Sequence, residues 1–270
     1  AKQPDNKRQG FVPLLIAAIL GPMLGVAVGA YAVGGYPPMA SGTNQVVVNN
    51  TEKVNWVSGA AAKALPSVVT LSVASSSGAG TGSGVVVSKE YVATDCHVIA
   101  NTLGANISKF DDTFKPIAFK ADWKHDLCLL KFEGLPFKPL PIRDSKTLQY
   151  EEDVFSISYP NGSNVPQPSY GSVKALHNLD SSVIIRSDAA FSLGSSGGGL
   201  FDEKYNLIGI TTFKSPGPQG FFYSLPVEWI KKLMNEPDAK SLKTLDIPFW
   251  ALPFEQKPNF MKVVIPYQNK

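Results

Sequence analysis

Beyond residue 66 the chain is a succession of short runs rich in β-branched and aromatic residues, each bounded by Gly, Pro, Asn or Asp. Runs of that length and spacing predict strands. They fall at residues 67–73, 82–88, 91–95, 105–110, 116–122 and 126–132. A connector rich in Pro and charge covers 133–152, and further runs follow at 153–159, 170–176, 183–187, 199–202, 207–213 and 221–225. Six runs, a connector and six more predict an all-β architecture of two six-stranded antiparallel β-barrels. Barrel 1 is expected near 66–132, barrel 2 near 153–226, with a cleft between them. Residues 227–234 (VEWIKKLM), opened by Pro226, predict a short amphipathic closing helix. The tail over 235–270 is too short for another sizeable domain.

The N-terminal pattern is different. No Asp, Glu, Lys or Arg occurs from Gln9 to Thr51, and residues 11–35 are all apolar or small. As a helix that stretch would be roughly 37 Å long, enough to cross a bilayer core of about 30 Å with some tilt. Lys2, Lys7 and Arg8 precede it against one acid, Asp5. The positive-inside rule then puts residues 1–10 in the cytoplasm and the body outside, on an inner-membrane protein of single-pass type. A cleavable signal peptide is the competing reading, with Ala30-Tyr31-Ala32 shaped like a cleavage site. Both readings export the main body. Residues 36–57, with Pro-Pro and Ser-Gly-Thr, read as a linker ahead of a catalytic body over 58–234.

Composition narrows the function classes. With 25 Lys and Arg against 22 Asp and Glu, net charge is +3, and no basic run exceeds two residues. A surface that tracks nucleic-acid phosphates is not expected. Two Cys exclude a disulfide scaffold and a four-Cys zinc site.

Candidate chemistry concentrates in three places. In Leu193-Gly194-Ser195-Ser196-Gly197-Gly198-Gly199, glycines on both sides of a hydroxyl let a substrate carbonyl approach the backbone. They also let the Gly194 and Ser196 N–H groups aim at one point as an oxyanion hole, with Ser196 Oγ as nucleophile. A serine needs an adjacent base. Of three histidines, His97 ends the run 91–95, where a side chain can project into a cleft, whereas His125 and His177 are expected at the surface. Asp126, at the mouth of an apolar run, is the best orienting carboxylate, because a buried acid needs a partner and an imidazolium supplies one. Gly194 to Gly198 also fits the nucleophile elbow of α/β-hydrolases, but no His follows His177 to complete that site. The order His97, Asp126, Ser196 is that of double-barrel serine hydrolases. Cys96 neighbours His97, and Cys128 lies two beyond Asp126. If His97 and Asp126 meet, these thiols come within several ångströms, either as a disulfide or as two buried free thiols.

Several segments together resemble the HtrA (Deg) branch of the chymotrypsin-like serine proteases, over roughly residues 58–234. Gly80-Thr81-Gly82-Ser83-Gly84 resembles that family's GxGSG strand, and Asp126-Leu127-Cys128-Leu129-Leu130-Lys131 its DLAVLK segment. Asp144-Ser145 with Tyr159-Pro160-Asn161-Gly162, and Ser187-Asp188-Ala189-Ala190, match further family stretches. The resemblance implies an endopeptidase with His97 as base, Asp126 as its orienter and Ser196 as nucleophile, requiring neither metal nor cofactor. It implies a primary pocket walled by Ala190, Phe191 and Ser192, shallow and suited to small aliphatic side chains. Extended polypeptide would add as a strand along Thr211, Thr212 and Phe213. Homo-oligomers, commonly trimers, are implied as well, on the periplasmic face of a bilayer held through residues 11–35. Ser195 stands where the family usually has Asn, and Phe222 where it has Gly. The PDZ domains usual after the protease, and a long insertion in the place of residues 75–81, are expected to be lacking. From another class, a catalytically silent, membrane-tethered module that only holds peptides competes with the enzyme.

Overall fold

The computed structural model describes residues 59–75, 78–215, 220–238 and 251–264. The membrane-spanning stretch expected at 11–35 and the linker at 36–57 lie outside these residues. Among the described residues no helix is long and apolar enough to cross a membrane.

Residues 59–64 form a helical start, α1, with Ala60, Ala61 and Ala64 buried. Strands β1 (Val68–Ser75), β2 (Gly78–Val86), β3 (Tyr91–Asp95), β4 (Thr102–Lys109), β5 (Asp112–Phe114), β6 (Ala118–Asp122) and β7 (Leu127–Lys131) build the first sheet, and a one-turn helix α2 (Cys96–Ile99) follows β3. The second half contributes β8 (Asp153–Ser158), β9 (Gln167–Leu179), β10 (Ser182–Ser187), β11 (Gly199–Asp202), β12 (Leu207–Lys214) and β13 (Phe222–Pro226). Helix α3 (Val227–Met234) and, in the tail, α4 (Asn259–Val264) complete the described chain.

The second half closes into a six-stranded barrel in the order β10-β13-β12-β11-β8-β9, as the strand pattern predicts. The first half does not. It is a seven-stranded ladder, β5-β4-β1-β2-β3-β7-β6, with unpaired ends. The extra strand arises at Phe110, whose left-handed backbone (φ 53) turns residues 112–114 back onto β4, with Lys109 opposite Asp112. The ladder is nevertheless rolled. Only residues 115–117 separate β5 from β6, a reach of at most about 14 Å. Laid flat, seven strands would hold those edges roughly 29 Å apart. The chain therefore enforces a half-barrel around Val69, Leu71, Val86, Val92, Ile107 and Leu130.

Strands β8, β10, β11 and most of β12 in the closed barrel are buried on both faces, whereas β9 is mostly half-buried or exposed. Along β8, Val154 joins the barrel interior with Leu200 and Ile208, whereas Phe155 and Ile157 join a larger cluster outside it. Two-residue periodicity thus sorts side chains between two apolar environments, which is why these strands read as near-continuous hydrophobic runs. That larger cluster also takes in Val85, Leu127 and Leu129 from the first sheet and Val227, Ile230 and Leu233 from α3. Helix α3 has Glu228 in its first turn and Lys231 and Lys232 in its last, the distribution its dipole favours. The tail returns to the body: Phe260 and Met261 are buried in the same cluster, and Phe260 meets Phe213 edge to face at 6.1 Å.

Candidate active site

The end of β3 and the start of β7 are register partners, Asp95 opposite Leu127. This places the residues just beyond each strand side by side. The Cys96 amide donates to the Asp126 carbonyl (2.9 Å), and Cys96 and Cys128 are joined as a disulfide with their Cα atoms 4.9 Å apart. The pairing that sequence leaves open is therefore resolved in favour of the bond. Asp126 is left-handed (φ 62), a conformation Asp tolerates better than most residues. Its carboxylate turns back towards α2: Oδ1 accepts from the His97 backbone N–H (2.8 Å) and Oδ2 meets His97 Nδ1 (2.7 Å). Thr212 Oγ1, from β12, donates to the same Oδ2 (3.2 Å). A nearly buried carboxylate with several directed donors holds the imidazole in one orientation and favours the tautomer with hydrogen on Nδ1.

The glycine-rich turn between β10 and β11 presents Ser196. Gly194 and Gly197 take φ +85 and +86, which side chains rarely adopt. A Cβ at Gly197 would also lie 2.1 Å from the Ser83 carbonyl oxygen. Ser83, on β2, is the strut of this turn: its N–H donates to the Ser196 carbonyl (2.8 Å), its Oγ to the Gly194 carbonyl (2.9 Å), and Tyr159 N–H donates to that Oγ (2.9 Å). Ser195, fully buried, accepts from Ser158 Oγ at 2.8 Å, and its carbonyl accepts from Thr211 Oγ1 at 2.7 Å. Among the described residues the Gly194 and Ser196 N–H groups have no protein acceptor, which leaves both for a ligand oxygen.

His97, Ser196, Gly194, Phe191, Thr212 and Phe213 line one cleft of about 780 Å³. Ser196 Oγ donates to the Thr212 carbonyl at 3.4 Å. Phe191 and Ser192 line the cleft, with Phe191 edge-on to Phe222 at 5.0 Å, but Ala190 is exposed and outside its lining. Thr211 is likewise outside, buried beneath Ser195. Tail residues Lys257 and Met261 join the lining, a contribution that sequence reasoning missed.

Neither remaining histidine is at the surface. His177 is half-buried near Tyr223, and burial, aided by Arg186, holds it below its ordinary pKa. His125 is buried, stacked on Trp229 at 3.9 Å, with Nδ1 at 2.5 Å from Asp122 and Nε2 at 2.7 Å from Asp180. Burial pushes its pKa down, but the hydrogen bonds and charges of the two aspartates outweigh this and raise it. A carboxylate only accepts, so facing two of them requires the imidazolium. Asp180 in turn is held down to about 2, chiefly by His125. A raised folded-state value stabilises the fold fully below the unfolded value of about 6.5 and stops doing so as pH rises through the folded one. His125→Gln is therefore expected to lower Tm most at pH 5–6 and progressively less at higher pH. A Tm difference independent of pH would contradict this.

The rolled ladder, closed barrel and cleft define a chymotrypsin-like fold. Residues 82–210 match the family model of the trypsin-like peptidase domain. A probable periplasmic serine endoprotease, DegP-like, of Hahella chejuensis is 32% identical over 167 residues, 58% of this chain and 35% of that protein. The crystal structure of the serine endoprotease from Yersinia pestis superposes with TM-score 0.60 at 26% identity, covering 66% of this chain and 65% of that one. The HtrA-type protease AlgW with tripeptide gives 0.58 at 26%, covering 66% and 62%. Residues 82–210 are thus similar to the trypsin-like peptidase domain, with DegP- and HtrA-type proteases among the similar proteins, and the chain spans about a third of the length of the curated relative.

Proposed function

We propose that the protein is a serine endopeptidase that cleaves extended segments of exported polypeptides through an acyl-enzyme. The observation that carries this reading is the convergence on one cleft of the His97–Asp126 pair, the Ser196 hydroxyl and two unpaired amides. His97 takes the Ser196 proton as Oγ attacks the substrate carbonyl, and Asp126 stabilises the imidazolium that forms. The Gly194 and Ser196 N–H groups stabilise the tetrahedral oxyanion, one such donor being worth about 2.7–4 kcal/mol in comparable sites. His97 then protonates the leaving amine, and water, deprotonated by the same imidazole, releases the acyl group.

The edge of β12 beyond Ile210 is not paired with β11, and Thr212, Phe213 and Lys214 line the cleft there. That free edge suits an added substrate strand. Phe191 beside Phe222 favours small aliphatic side chains next to the scissile bond. The disulfide and the periplasmic relative support action outside the cytoplasm, and the uncharged stretch 11–35 supports a membrane tether. The bond from Ser196 Oγ to Thr212 is the feature that favours the silent peptide-binding alternative.

A fluorophosphonate probe separates the two. Wild-type protein is expected to be labelled and to hydrolyse unfolded protein, while Ser196→Ala is neither labelled nor active, its turnover falling by 10⁴-fold or more. An unlabelled wild type would leave only the binding module, and equal labelling of both would remove Ser196 as nucleophile.

A further inference from the structure

Asp95, the last residue of β3, is fully buried, and neither carboxyl oxygen has a hydrogen-bond partner. A carboxyl oxygen of Asp95, one of Asp126 and a ring nitrogen of His97 all lie within 4.8 Å of one another. The groups that face Asp95 come from four elements: Asp126 from the turn before β7, His97 from α2, the Thr212 hydroxyl from β12 and the Gly197 amide from the nucleophile turn. Two carboxylates this close in a buried site cannot both ionise readily. The His97 ring is already engaged by Asp126. Asp126 in addition receives the Thr212 hydroxyl, which has one hydrogen to give.

We propose that Asp95 retains its proton while the site works, and that this neutral carboxyl is a positioning residue which leaves the Thr212 hydrogen, and a single negative charge, to Asp126. Burial first, and the Asp126 charge second, push the Asp95 carboxyl well above the usual range, outweighing the Thr212 and Gly197 groups that favour its ionised form. An ionised Asp95 would compete with Asp126 for the Thr212 hydrogen. The proposal builds on the peptidase reading only for its catalytic consequence; the proton itself is there or not regardless of activity.

The decisive measurement is infrared spectroscopy of wild-type protein and Asp95→Asn with isotope-labelled aspartate. The carbonyl stretch of an un-ionised carboxyl is expected in the wild type at pH 7 and absent from Asp95→Asn. Its absence from the wild type, or its persistence in the variant, would overturn the assignment. Thermal unfolding gives a second readout that also serves if the variant proves inactive. A raised folded-state value means that wild-type stability declines as pH rises above the unfolded value near 3.8, because only the unfolded chain releases the proton. The Tm of Asp95→Asn is therefore expected to gain on the wild type as pH rises from 4, and a constant difference would count against the proposal. In peptide hydrolysis Asp95→Asn, which preserves a neutral hydrogen-bonding group, is expected to exceed Asp95→Ala by tenfold or more, and to lack any fall in activity that Asp95 ionisation produces in the wild type at alkaline pH. Should the wild type hydrolyse nothing, the peptidase reading fails while the infrared result still decides the proton.

Discussion

Asp126→Asn is expected to lower kcat by roughly four orders of magnitude, the loss seen for this exchange in equivalent triads, while KM changes little. The amide matches the carboxylate in size, so the packing around residue 126 should survive. What changes is hydrogen bonding. Asp126 accepts from the His97 backbone, the His97 ring and Thr212. An amide that accepts through one atom must present N–H groups through the other. If those face His97 Nδ1, the imidazole adopts the tautomer with hydrogen on Nε2, and the nitrogen that should take the Ser196 proton is already protonated. The charge that would stabilise the imidazolium is gone as well. Steady-state kinetics, with near-ultraviolet circular dichroism to verify folding, reads the outcome. A folded variant within tenfold of wild-type kcat would mean that Asp126 does not orient the base.

The second large effect is on stability. Replacing Cys96 and Cys128 together by Ser is expected to cost about 3–4 kcal/mol, the loop-entropy value for a bridge over 32 residues. The bridge ties the residue before His97 to the residue two beyond Asp126, so it restrains both sides of the imidazole–carboxylate pair. The folded-state geometry has other supports: the Cys96 amide on the Asp126 carbonyl, the β3–β7 ladder and the His97 amide on Asp126. Well below its melting point the double variant is therefore expected to keep most of its kcat. Urea unfolding with and without reductant, alongside peptide hydrolysis at 15 °C, distinguishes the two contributions. A melting point unchanged by reduction would show that the unfolded chain gains little freedom when the bridge opens.

Strand positions were largely legible because each is short, β-branched and punctuated. Those of β3 and β11 match the sequence pattern residue for residue, and β10 starts one residue earlier than expected, at Ser182. The half-barrel was not. A three-residue edge strand, Asp112–Phe114, is too brief to carry a periodic signal, and it exists because Phe110 adopts a conformation its side chain does not announce. His125 looked like a surface residue because it directly precedes a strand start. One partner, Asp122, is three positions away, but the other, Asp180, is 55 positions later, and Trp229, more than a hundred positions later, covers it. Ser83 belonged to a recognisable motif, but its action as a strut depends on carbonyls from a turn in the other half of the molecule. The tail appeared featureless, yet Met261 reaches the cleft through a helix of six residues.

By itself the amino-acid order determined the β class, the closing helix, and the residue types and succession of the candidate triad, because strand periodicity, glycine permissiveness and chain order are local or one-dimensional properties. Only the tertiary structure decided whether the first sheet closes, whether the two thiols bond, which histidines are buried and which aspartate faces Asp126. Each of those depends on distances between groups far apart in the chain, and a charge or hydroxyl acquires its role from what surrounds it after the two halves have folded against each other.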